Sequence, residues 1–220
     1  TFDSCQYIQS VEIQDGTEIS SYSFSWCNNL SKVQLKNVNN LESHAFYNCE
    51  SLKKIVFEES IPNLCVSFSG MPFSFAGFNL DGDIDQNIKI ELKDVGISTE
   101  EFLYRYLYLF AGYEDDFFSS ASQSMWEAVK VDLCWPHWDE GDYDYEPTYD
   151  EMYDAFKAKL LEAENKLRAM LGLELVSEPT NMPTDIPTKE EYEGKEDSEE
   201  SDEENKDSGD ETETDEVDSS

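Results

Sequence analysis

The sequence predicts an α+β chain: a solenoid of short parallel strands at the front, a mostly helical cap behind it, and a disordered acidic tail. Three observations predict this. Cys5, Cys27 and Cys49 recur at one interval of 22 residues. A helical period follows Thr148, and apolar residues all but vanish after Ser177.

The repeat aligns without gaps. Phe2, Phe24 and Phe46 form one column; Ile8, Leu30 and Leu52 a second; Val11, Val33 and Ile55 a third; Ile13, Leu35 and Phe57 a fourth. A fixed interval of this length is the signature of stacked coils. In each unit the last two apolar positions are two apart, the alternation of a strand with one face buried. The earlier positions step by three, which suits a tight turn. One unit has too little apolar surface to fold alone, so stacking must turn each column into a ladder. Asn28, Asn29 and Asn48 fall where the chain must turn, and their side chains are expected to bond local backbone. The three column cysteines are expected as buried thiols, because parallel Cβ vectors give poor disulfide geometry.

The pattern F-x-x-C-x-x-L-x-x-V-x-L, with an A-F start at Ala45 and Phe46, resembles the BspA-like leucine-rich repeats. The resemblance covers about the first third of the chain. It implies a leucine-rich repeat solenoid that binds a macromolecule without catalysis, as a surface or secreted adhesion-type protein. A degenerate fourth unit is read from Phe68, Phe75, Phe78 and Leu80. The domains are therefore set at 1–80 for the repeats, 81–176 for the helical cap and 177–220 for the tail. Because the sequence opens inside a repeat, further repeats are expected upstream.

Beyond the repeats, NIKIELK (87–93) alternates and predicts one more strand. Ser98 and Glu101 form a capping box ahead of FLYRYLYLF (102–110), read as a helix, although its alternating tyrosines also fit a strand. A second helix is expected over 119–131. The third follows the capping box of Thr148 and Glu151, with Met152, Phe156, Leu160, Ala163, Leu167 and Met170 on its apolar face and Gly172 as its stop.

Charge is distributed unevenly. Residues 1–57 hold 4 lysines against 6 acids, 58–176 hold 8 bases against 25 acids, and 177–220 hold 3 against 19, within a net charge of −35. Nucleic acid is excluded as a partner, since its phosphates need lysine or arginine to neutralise them. Anionic membrane surfaces are disfavoured likewise. Insertion is excluded for the FLYRYLYLF run, which falls well short of the about 20 residues a spanning helix needs. The tail has too little apolar surface to offset the entropy of ordering.

Candidate sites follow from the same pattern. Outward positions of the strands form three rows: Ser10, Lys32 and Lys54; Glu12, Gln34 and Val56; Gln14, Lys36 and Glu58. Solenoids bind partners on such extended faces. Lys32, Lys36 and Lys54 form a basic grouping for an acidic partner or for the chain's own tail. In the tail, Ser201 and Ser208 suit an acid-directed kinase. The tail itself offers long-range attraction to a basic protein such as a histone, which supports an alternative, intracellular reading, or else serves as a solubilising spacer. The stretch Cys134–Glu146 (CWPHWDEGDYDYE) is read as an aromatic-rich packed loop rather than a metal site, because only two histidines occur and neither acidic run fits a calcium loop. No nucleophile elbow, phosphate loop or dinucleotide fingerprint is present, so no catalytic residue and no cofactor is expected.

Overall fold

The structure is a computed structural model that describes residues 1–65, 71–77, 84–110 and 120–194. Residues Thr1–Ile186 form one compact unit, and a second begins at Pro187.

Among the described residues, seven strands build the solenoid. Strands β1 (Ser10–Gln14), β3 (Lys32–Lys36), β5 (Lys54–Glu58) and β7 (Lys89–Lys93) form a four-stranded parallel sheet in that order. The two-residue strands β2 (Glu18–Ile19), β4 (Asn40–Leu41) and β6 (Asn63–Leu64) form a second parallel sheet. Register follows the repeat columns: Val11, Val33, Ile55 and Ile90 are partners, as are Ile13, Leu35, Phe57 and Leu92. The rings of Phe2, Phe24, Phe46 and Phe73 stack at 5.1 to 5.3 Å with interplanar angles of 7 to 12°, the last three buried inside the coils and Phe2 exposed at the end of the stack. Full burial of one such ring contributes about 1.5–3 kcal/mol.

A third ladder, made of turns, ties the coils together. Ser4, Trp26, Asn48 and Phe75 all have positive φ (59, 57, 53 and 55°), as do Asp15, Asn37, Glu59 and Asp94 just after the strands (53, 50, 65 and 53°). This conformation aims each backbone N–H at the following coil. Ser4 donates to the Ser25 carbonyl, Trp26 to Tyr47 and Asn48 to Ser74, at 2.8 to 3.0 Å. After the strands, Asp15 donates to Lys36, Asn37 to Glu58 and Glu59 to Lys93. Thiols run the other way: Cys27 donates to the Phe2 carbonyl and Cys49 to that of Phe24, each at 3.2 Å. All five cysteines are free. Asn29 reaches across to the Gln6 carbonyl of the preceding coil at 2.6 Å, so its role is between coils rather than local.

The fourth coil differs from the expectation. Its strand is β7, which starts 35 residues after β5 instead of 22, so the repeats close at Lys93 and not at Leu80. Phe68, Phe78 and Leu80 lie outside the described residues, Phe73 continues the phenylalanine stack, and Phe75 takes the positive-φ turn. Gly77 (φ 73°) allows the enlarged coil to close: a Cβ there would stand 2.8 Å from that of Asp85 and 3.1 Å from Ile88 Cδ1.

Helices cover the last coil. In α1 (Thr99–Phe110) the Ser98 hydroxyl accepts from the Glu101 N–H, and Phe102 presses its ring against Phe57 at 5.9 Å. Helix α2 (Ala121–Asp139) runs eight residues past the expected end, with Pro136 inside it, so Cys134–Asp139 is helix and not loop. Proline removes one backbone bond there, but so near the helix end that the remaining turn closes through Glu140, which donates to His137, and Gly141, which donates to Trp138. Helix α3 (Tyr149–Leu171) has the expected capping box of Thr148 and Glu151 and ends at Gly172 with φ 74°. Its buried face carries Glu164 where Ala163 was expected.

The folded unit also extends past Val176. Thr180 and Asp185 are bonded to Glu164 and Ser122, at 2.8 Å from the Thr180 N–H and 2.7 Å from the Ser122 hydroxyl. The expectation of a tail without structure from Ser177 is corrected for 177–186, where hydrogen bonds replace the missing apolar burial. In the second unit, Thr188 and Glu191 form a capping box for a short helix over 189–194. The rest of the acidic segment, 195–220, lies outside the described residues.

Candidate recognition surface

The parallel register aligns the outward side chains of the four-stranded sheet in three rows. Ser10, Lys32, Lys54 and Lys89 form the first, Glu12, Gln34, Val56 and Glu91 the second, and Gln14, Lys36, Glu58 and Lys93 the third. Strand β7 thus adds Lys89, Glu91 and Lys93 to the nine residues expected from sequence. Their signal was present in the alternation of NIKIELK, but the broken interval hid its alignment with β5.

These rows are internally bonded. Lys32 Nζ donates to Gln34 Oε1 at 3.0 Å, and Gln34 Nε2 donates to Glu58 Oε2 at 2.8 Å. Lys36 pairs with Glu59 at 3.1 Å and with Glu58 at 3.7 Å, and its hydrogen bond to Glu59 raises its pKa above the ordinary value. Lys54 pairs with Glu91, which Lys93 also approaches at 3.6 Å; the Lys54 contact holds the Glu91 carboxyl below its usual range. All three lysines of the expected basic grouping are therefore engaged by polar groups on or beside the sheet. Lys89 turns aside and donates to the Ala169 carbonyl at the end of α3 at 2.8 Å.

Val56 is corrected. It points outward by strand alternation, yet it is fully buried. Gln34 and Glu91 flank it across the sheet, Lys54 and Glu58 stand on either side along its own strand, and these neighbours bond to one another around it. Alternation gives a side chain's direction but not its cover. The sheet face is a polar lattice with an apolar residue beneath, its exposed groups being charged heads and amides.

The Cys134–Glu146 stretch is packed on itself. His137 stacks on Tyr145 at 3.5 Å, the Cys134 thiol donates to the Tyr145 carbonyl at 3.7 Å, and burial pushes that thiol's pKa up. Among the described residues, no group of three or more His, Cys, Asp or Glu side chains is placed to hold a metal ion. No helix among them is long and apolar enough to cross a membrane. Ser201 and Ser208 lie outside the described residues.

Stacked coils with in-register parallel strands, a phenylalanine spine and a cysteine column define a leucine-rich repeat solenoid. The family model described as BspA type leucine-rich repeat region (6 copies) matches residues 1–70, and this region of the chain belongs to that repeat family. No curated protein and no solved structure matches the chain. Repeats of this family suggest a protein-interaction module and are typically non-enzymatic.

Proposed function

We propose that this chain is a non-enzymatic, adhesion-type recognition protein of a cell surface or secreted setting, docking a protein partner on the outer face of its four-stranded sheet. One observation carries the reading: three rows of outward positions cross all four strands in register, polar throughout except at the buried Val56. Ser10, Glu12, Gln14, Lys32, Gln34, Lys36, Lys54 and Glu58 are the contact residues of the proposal. The ion pairs they make are partly exposed, so an incoming carboxylate or amide can exchange with them at little cost. The adhesion-type setting follows the family resemblance.

A second reading rests on the charge run. Residues 177–220 hold 3 bases against 19 acids, and a segment of that charge attracts basic proteins such as histones over long range. Phosphates at Ser201 and Ser208 would strengthen the attraction.

A salt titration of binding decides between the two. The full chain and its Lys32→Glu/Lys36→Glu variant are assayed against immobilised matrix proteins and against histones. Matrix binding with weak salt dependence, lost in the variant, supports the sheet face. Histone binding that fades as salt rises and ignores the variant replaces it with the tail.

A further inference from the structure

A second surface stands out on the turn segments of the coils, away from the sheet rows. Trp26 and Tyr22 are 47% and 49% exposed, although aromatic side chains are favoured for burial. They belong to one connected group. Tyr22 lies flat on His44 (5.0 Å, 7°), and Tyr47 receives Trp26 from one side (5.8 Å) and Phe75 from the other (5.4 Å), both edge to face. The outer rings thus rest on inner ones.

Both exposed rings occupy a costly backbone conformation. Trp26 and Tyr22 have φ of 57 and 58°, a region that disfavours bulky side chains and suits Gly or Asn. The corresponding position of the next coil holds Asn48 (φ 53°). Folding alone would be served by the same residue at 26. The conformation itself belongs to the turn ladder of every coil; what distinguishes positions 22 and 26 is the exposed ring that each places on it.

Charge identifies the occupant. Residues 1–31 contain no lysine or arginine, and the repeat lysines, 32, 36, 53 and 54, lie on or directly before the strands of the sheet. The turn segments carry carboxylates instead, at Asp3, Glu42 and Glu50; Asp3 accepts from Ser25, the residue before Trp26. Electron-rich ring faces on turn segments that carry carboxylates and no lysine or arginine suit guanidinium or ammonium groups.

We propose that the aromatic edge centred on Trp26 and Tyr22 docks a cationic peptide segment of a protein partner, its arginine side chains stacking on the two rings. This surface is separate from the sheet face and does not depend on it.

The test uses the full chain, an octapeptide with two arginines in a Gly/Ser background, and the same peptide with citrulline, which keeps the shape and removes the charge. Trp26→Asn installs the residue that the neighbouring coil uses at this turn. It is expected to weaken arginine-peptide binding about tenfold while leaving Tm unchanged or raising it by about 2–4 °C. Tyr22→Asn is the second variant, with the same expectation, and Trp135→Ser, on the exposed side of α2, is expected to leave binding unchanged. The acidic segment is intact in every protein, so a loss confined to the Trp26 and Tyr22 variants belongs to the aromatic edge. Equal binding by wild type and both variants overturns the proposal, as does citrulline peptide binding as tightly as arginine peptide. A response of the Trp26 ring to neutral maltohexaose and not to the arginine peptide overturns it in favour of sugar stacking.

Discussion

Glu164 and Arg168 stand one turn apart on α3, and the guanidinium Nε donates to Glu164 Oε1 at 2.8 Å in a nearly buried pair. The pair clasps the chain that leaves the helix. Thr180 gives Glu164 both its N–H and its hydroxyl, while Arg168 donates to the Glu174 carbonyl and to the Thr180 hydroxyl oxygen. Burial by itself would raise the Glu164 pKa; the bonds from Thr180 and Arg168 together outweigh it and hold the carboxyl below its ordinary 4.5. Glu164→Ala leaves buried donors unpaired and is expected to cost about 3 kcal/mol, read from urea unfolding.

The same carboxylate gives a pH signature. Its folded pKa lies below the unfolded one, so its stabilisation is present above pH 4.5 and is lost as pH falls through the folded value. The stability gap between wild type and Glu164→Gln should hold from pH 7 to 5 and shrink below pH 4.5. A constant gap down to pH 3 would refute the assignment.

Two column thiols should be inert in the folded chain. Cys49 is fully buried, and burial pushes its pKa up to about 12; burial raises that of Cys27 as well. Thiolate is the species that reacts. Iodoacetamide at pH 8 should label Cys5, which is half-buried, and spare Cys27 and Cys49, with all five labelled in denaturant. Peptide mapping by mass spectrometry checks this.

Gly77→Ala tests how the enlarged fourth coil closes. A methyl group would meet Asp85 and Ile88 at a backbone angle unsuited to alanine. The expected loss is about 2 kcal/mol, a fall in Tm of roughly 4–8 °C. An unchanged melting curve would mean that this coil closes differently.

On the sheet, Val56 and Lys54 should separate structure from contact. Val56→Ala removes buried carbon and is expected to cost about 1–2 kcal/mol without altering partner binding. Lys54→Ala breaks an exposed ion pair, costs under about 1 kcal/mol, and should weaken binding of an acidic ligand. Paired denaturation and binding measurements on the two variants distinguish them.

The columns of the first three coils were legible because the 22-residue interval repeats without a gap, and α3 because its cap, period and stop agree. Other features were hidden for physical reasons. Extra chain between Phe57 and Ile88 put β7 out of phase, so its alternation was visible but its neighbours were not. Pro136 reads as a helix terminator, yet near a C-terminus it removes little. Glu164 reads as a solvated acid because its partners, Arg168 aside, are backbone and hydroxyl groups of a distant segment. The three rows of the sheet face were legible from alternation, whereas the roof over Val56 depends on which long side chains meet.

The positive-φ turns give the solenoid a direction. In both turn ladders the amide hydrogen of one coil points at the carbonyl of the next, from Ser4 to Ser25 and from Asp15 to Lys36 onward. Along these two ladders each coil therefore accepts on one side and donates on the other, like a tile with unlike edges, while bonds just before the strands, Ser31 to Gln9 and Lys53 to Ser31, run the opposite way. A duplicated 22-residue unit would join the stack only in the existing orientation, whereas two solenoids brought together through like ends would set donor against donor or acceptor against acceptor along these turns. Vectorial assembly is thus written into the backbone at the turns, apart from anything the side-chain columns contribute.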